Sequence, residues 1–186
     1  MNAKIENNLK YAGLIRRYGA YLIDVFILYT INFVIGYIVG RLALISDNYL
    51  LLNIIRNETE NFYIYAVISA IILATIYYTY FEGKWGASLG KKLFKLKIID
   101  VSGKNISYMQ AFLRLQIQLI LLYTKVAIMI FIMNIQIDPE YLTLINTSLT
   151  LINALITLIN IFLFLFHDQK RIIHDLIIGT VVIHKK

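Results

Sequence analysis

Apolar positions along this chain fall in long blocks rather than stripes, at 18–40, 62–81, 115–137 and 141–166. Each block meets the roughly 20 residues a helix needs to cross about 30 Å of hydrocarbon. A helix satisfies its own backbone groups where water is absent, so the pattern predicts four transmembrane helices. Hydrophobic residues make up 59% of the 186, far more than a water-facing globule carries. The first block is too long for a signal-peptide core and contains Asp24, so it reads as a span and not as a cleaved leader.

The connections carry their own pattern. Residues 95–101 read as a strand running into the turn Ser102-Gly103-Lys104-Asn105, and 180–184 are also strand-prone. These two strands are expected to pair beneath the membrane. The tail from 167 to 178 has helical spacing and stops at Gly179, and Leu50–Leu52 with Ile54 and Ile55 suggest a short interfacial helix in the loop 41–61. With no tandem repeat and no disordered linker, residues 1–186 read as one domain. The fold class is an all-α membrane protein with a small β pair.

Charge orients that arrangement. Fifteen of the 18 Lys and Arg lie in the N-terminal segment, the loop after the second block and the tail. By the positive-inside rule both termini are expected to be cytoplasmic. The net charge of +7 is then accounted for by topology and by anionic lipid headgroups at the basic loop, so it gives no reason to invoke nucleic acid.

Polar residues inside the blocks are the candidate chemistry. Asp24 is the only acidic residue within a block, about 9 Å along the helix from Tyr18. In the third block Arg114, Gln118 and Lys125 share a helix face, with Lys125 near the bilayer midplane, where an unpaired charge costs about 3 kcal/mol. Lys125 is therefore the expected partner of Asp24, and Arg114 competes for it. Either the pair is a buried ion pair that fixes helix register, or Asp24 is a titratable carboxylate that exchanges its charge with a small cation or a proton. In the fourth block Thr143, Asn146, Thr150, Asn153, Thr157 and Asn160 recur at spacings of three and four. Such a seam is either a hydrogen-bonded helix–helix interface or the wall of a water-lined path with Asn153 at its middle. Gly36 and Gly40 form a small-xxx-small pair that suggests close helix packing.

Other chemistry is poorly served. The chain has no cysteine, which removes disulfides, thiol nucleophiles and thiolate metal sites. Gly86-Ala-Ser-Leu-Gly90-Lys91-Lys92 imitates a phosphate-binding loop but is one residue short between the glycines and lacks the Ser or Thr after lysine. His167-Asp168 and His174-Asp175 are too few for a metal site. No catalytic triad, cofactor site or metal site is expected, and the chain does not read as an enzyme.

Four motifs in order resemble those of one family. Ala12-Gly13 followed by Arg17-Tyr-Gly-Ala20 and Asp24 resembles the opening motif of the RDD family, named for one arginine and two aspartates. Gly86-Ala-Ser88-Leu-Gly90-Lys91 is similar to its Gly-x-Thr-x-Gly-Lys loop, with serine in place of threonine. Arg114 matches the arginine that often opens the next helix, and His174-Asp175 with Gly179-Thr180 resembles the closing motif. The resemblance implies that Arg17, Asp24 and Asp175 are the eponymous residues, and it carries the family's suspected role in membrane transport. On this reading Arg17 is expected to meet Asp175 at the inner headgroups. The resulting expectation is a multi-pass protein of a bacterial inner or plasma membrane, working as a homo-oligomer. It would exchange a small cation for protons through Asp24, with Lys125 and Arg114 as electrostatic partners. The alternative is a non-transporting scaffold whose basic loop binds lipid headgroups or a protein.

Overall fold

The computed structural model describes residues 10–45, 59–133 and 139–185. In chain order its elements are α1 (Leu14–Ile45), α2 (Thr59–Trp85), α3 (Leu89–Leu93), β1 (Leu96–Asp100), α4 (Tyr108–Met133), α5 (Pro139–Phe166), α6 (Ile173–Ile178) and β2 (Thr180–His184). Three of the expected spans are present as helices long and apolar enough to cross a membrane, over Leu14–Leu42, Tyr65–Trp85 and Thr143–Phe166. The remaining one falls on α4, which bends by 53° between Tyr108–Ile120 and Leu122–Ile128 and makes a fourth span only if both parts are counted together. The interfacial helix expected around Leu50 to Ile55 lies outside the described residues.

Local chemistry sets the helix starts. α4 begins at Tyr108, ahead of its apolar block, because Ser107 and Gln110 form a capping box. The Gln110 N–H donates to Ser107 Oγ at 3.1 Å and the Ser107 N–H to Gln110 Oε1 at 2.9 Å, so two orphan donors are satisfied reciprocally. α5 opens on the chain's one proline, Pro139, at a position where a missing N–H costs no helical bond.

The strand pair forms as expected. β1 and β2 run antiparallel in the register Leu96↔His184 to Asp100↔Thr180. A third segment, not foreseen, lies along β2: the Ala12 N–H donates to the Val182 carbonyl at 3.0 Å and the His184 N–H to the Lys10 carbonyl at 2.8 Å. Residues 10 and 184 therefore stand side by side, and the two described ends of the chain lie on one side of the helices. Ala12, Ala20, Leu96, Ile98, Ile106, Ala111 and Val182 pack with Phe94 into the core. Burying an Ile or Val there fully contributes about 1.5–3 kcal/mol. The chain folds around this strand layer, while the outward faces of the long helices stay exposed, as faces covered by lipid would be.

Two local expectations fail. The tail helix spans only Ile173–Ile178, because Lys170 adopts a left-handed conformation (φ 52°) that breaks the run from α5. The chain turns there, and Asn160 Oδ1, reaching from α5, accepts the Ile173 N–H at 3.0 Å to start α6 afresh. Gly179 ends α6 in the left-handed conformation (φ 72°), as its sequence position suggests. The Gly36–Gly40 packing contact is also absent among the described residues, since a Cβ at either glycine would meet nothing within 4 Å.

Candidate functional site

Asp24 is about 15 Å into α1 and only 1% exposed. Arg114, one of the two expected cations, is engaged elsewhere, and the Lys125 side chain lies outside the described residues. Instead Tyr77 Oη donates to Oδ1 at 2.6 Å, Ser88 Oγ to Oδ2 at 2.5 Å, and the Gly90 N–H to Oδ1 at 2.8 Å. All three donors are neutral. Ser88 also caps α3, its Oγ accepting the Lys91 N–H at 3.3 Å, and Tyr77 Oη accepts the Leu89 N–H at 3.1 Å. The loop from Gly86 to Gly90 is thus wrapped round one carboxylate. Its glycines are required: Gly86 is left-handed (φ 70°) with its carbonyl accepting the Ile98 N–H at 2.7 Å. A Cβ on Gly90 would meet the backbone of Ala20.

One layer further from the middle of α1 lies a second cluster. Asp175 is fully buried. Its Oδ2 meets Arg17 Nη1 at 3.2 Å, which is the contact expected between those residues, and its Oδ1 meets Arg114 Nη2 at 2.7 Å. Arg17 also donates to the carbonyls of Ala12 and Val182 and stacks over the Phe164 ring, so one guanidinium ties the N-terminal segment, β2, α5 and α6 together. Arg114, 3% exposed, sits 3.6 Å from Glu82 Oε2 through Nη1, and Glu82 in turn pairs with Lys91. Its Nε and Nη1 have no hydrogen-bond acceptor among the described residues. The pairing of Arg114 with Asp24 is therefore replaced by pairing with Asp175 and Glu82, the two carboxylates that α2 and α6 place nearer to it.

His174 completes the cluster. Burial and the adjacent Arg114 lower its pKa to about 3, so the ring is neutral near pH 7. Arg114 Nη2 stands 3.0 Å from Nε2, and a guanidinium can only donate, so Nε2 accepts and Nδ1 carries the hydrogen. The 3.4 Å approach of Nε2 to Asp175 is accordingly not an ion pair. Burial raises the Asp175 carboxyl, but Arg114 and Arg17 outweigh it and hold the pKa at about 2. Gln118 Nε2 lies 2.8 Å from His174 Nε2, as the shared face of Arg114 and Gln118 on α4 allows.

Of the expected site residues, Arg17, Arg114, Lys91, His174 and Asp175 come together in this cluster, and Asp24, Gly86 and Gly90 in the neighbouring loop joint. Asn153 joins neither and is exposed on α5. The Lys125 side chain lies outside the described residues. Sequence reasoning missed Tyr77 and Glu82, and gave Ser88 no role beyond its place in the Gly86–Lys91 motif. Glu82 carried a usable signal, being an acidic residue between an apolar block and the basic loop that follows it. Among the described residues no group of three or more His, Asp or Glu could hold a metal ion.

A model of the RDD family matches residues 11–179. The chain belongs to the RDD family. No curated protein and no solved structure gives a significant match. In this RDD protein the motif residues are distant in sequence yet form two adjoining clusters, one around Asp24 and one around Asp175. Together with its apolar helices, family membership makes it an integral membrane protein of the multi-pass kind.

Proposed function

We propose that this RDD protein moves a small monovalent cation or a proton across the membrane, with Asp24 as the group whose charge is exchanged. One observation carries the reading. Asp24 is a buried carboxylate on an apolar helix, and among the described residues its donors are all neutral. Among the described residues this negative charge is matched by hydroxyl and amide dipoles, and a cation arriving beside such dipoles gains more than it would beside a lysine. The carboxylate oxygens with Ser88 Oγ and Tyr77 Oη supply hard oxygen ligands of the kind alkali cations and protons prefer. Binding requires both hydroxyl groups to turn their hydrogens away, which is a rotation and not a refolding step. The basic loop and tail favour a cytoplasmic location for both ends, in the inner or plasma membrane of a bacterium.

The test is proton flux in proteoliposomes under imposed sodium or potassium gradients, with wild type beside Asp24→Asn. Cation-driven flux that disappears in a folded variant supports the reading. Absence of flux from folded wild type under every gradient overturns it.

A second reading is favoured by the same joint seen differently. Ser88 and Gly90 fasten Asp24 to the loop between Gly86 and Gly90, and Tyr77 fastens it to α2, as a purely mechanical clasp would. The protein would then be a non-transporting scaffold that presents Lys84 and Lys92, both set over the Trp85 ring, to anionic headgroups or a partner. Under this reading Asp24→Asn lowers stability and changes no flux.

A further inference from the structure

The polar seam of α5 is left without an assignment by either reading. Thr143, Asn146, Thr150, Asn153 and Thr157 are exposed along one side of the helix, with Asn160 half-buried at its end. Their hydrogen-bonding needs differ. Thr150 and Thr157 already donate to the carbonyls of Asn146 and Asn153, each at 2.8 Å, and Asn160 is occupied by the Ile173 N–H. The carboxamides of Asn146 and Asn153 have no partner among the described residues. Only 6% of this span is buried within the chain, and its other sides carry exposed Leu151, Leu155 and Leu158, which hydrocarbon covers at no cost. Hydrocarbon cannot do the same for a carboxamide, which needs two donors and an acceptor met.

We propose that this seam docks on the same seam of a second copy of the chain, so that α5 pairs with α5 across a two-fold axis along the membrane normal. The choice of occupant follows from the pattern. Two copies inserted in one membrane share an orientation, so their α5 helices run parallel. Residues spaced alternately by three and four then face their own counterparts, Asn153 against Asn153 and Thr150 against Thr150. Asparagine both donates and accepts and is therefore complementary to itself, whereas a different partner would need a matching row of its own. The repeat of seven gives a left-handed crossing of about 20°. Asn160 anchors the inner end of the seam to α6, next to His174 and Asp175. The pairing does not depend on what the protein carries.

The chain has no cysteine, so single-cysteine variants report without background. Asn146→Cys, Thr150→Cys and Asn153→Cys are oxidised in native membranes beside Leu151→Cys and Leu155→Cys, which lie on the opposite side of α5. Disulfide-linked dimers are expected at 146, 150 and 153, at least about tenfold more than at 151 and 155. Equal cross-linking on both sides, or monomer at every position, overturns the proposal. Wild type labelled with one dye per chain and diluted in vesicles is expected to bleach in two steps, and bleaching in one step alone overturns it independently of any variant.

Discussion

Gly90 lies so close to Ala20 that a methyl group on it would stand 2.2 Å from the Ala20 carbonyl oxygen and 2.9 Å from the Asp24 carboxyl carbon. Helix α3 can approach α1 because residue 90 has no side chain, and that approach brings the Gly90 N–H within 2.8 Å of the carboxylate. The hydrogen bond and the missing methyl are therefore one requirement.

Gly90→Ala is expected to destabilise the protein by about 2–3 kcal/mol or to prevent folding, since the clash is with backbone and cannot be relieved by a rotamer change. Gly36→Ala, where a Cβ meets nothing within 4 Å, is the control and is expected to be neutral or slightly stabilising. Thermal unfolding in detergent distinguishes the two.

Ser88→Ala removes both a donor to Asp24 and the α3 cap. The expected loss is about 2–3 kcal/mol, larger than either role alone. Ser88→Thr keeps the hydroxyl and is expected to recover most of it. Denaturant midpoints of the three proteins measure the series, and a loss under about 0.5 kcal/mol for alanine would contradict the geometry.

Arg17 and Asp175 are expected to behave as a coupled pair. Asp175→Ala leaves two guanidiniums facing each other without a carboxylate and should cost about 3–5 kcal/mol. Arg17→Ala costs less, because Arg114 still serves Asp175. A double-mutant cycle should return an interaction of about 0.5–3 kcal/mol, and strict additivity would show that the contact carries no energy.

Acid should weaken the fold in two stages. His174 titrates at about 3 when folded and near 6.5 when unfolded, so between those values the unfolded chain binds a proton that the folded one refuses. Stability then falls as pH drops from 6.5, by at most about 1.4 kcal/mol per pH unit. Asp175, at about 2 when folded, adds loss of the same sign as pH falls through the range 3.9 to 2. His174→Gln, which has no group titrating there, should flatten the upper stage and leave the lower one. Melting temperatures between about pH 2 and 8 test this.

Much of the framework was legible because lipid imposes a coarse rule. A helix in hydrocarbon must be apolar for about 20 residues, and α1, α2 and α5 obey it in plain view. The β-branched runs Ile98–Ile99, leading into the turn at Ser102-Gly103, and Val181–Ile183, following Gly179, likewise exposed the strand pair. The partners of Asp24 were not legible, for a physical reason. Lys125 announces itself by charge, whereas Tyr77 sits in an aromatic-rich span where it reads as apolar, and the Gly90 N–H is backbone with no letter of its own. Arg114 was visible as a buried cation, but its choice of Asp175 and Glu82 depends on the fold returning the tail beneath α4.

The closure of the strand layer also sets an order of events during synthesis. Arg17 and Asp175 are 158 residues apart, and β2 must pair with both β1 and the segment at Lys10 to Ala12. At about 5–20 residues per second, a ribosome leaves Arg17 without its carboxylate for about 8–30 s. During that interval the early helices are already in the bilayer while the end of α1 that carries Arg17 awaits α6 and β2. β2 thus acts as a latch, and a chain stalled before α6 and β2 would display unpaired arginines and an open strand edge to whatever surveys nascent membrane proteins.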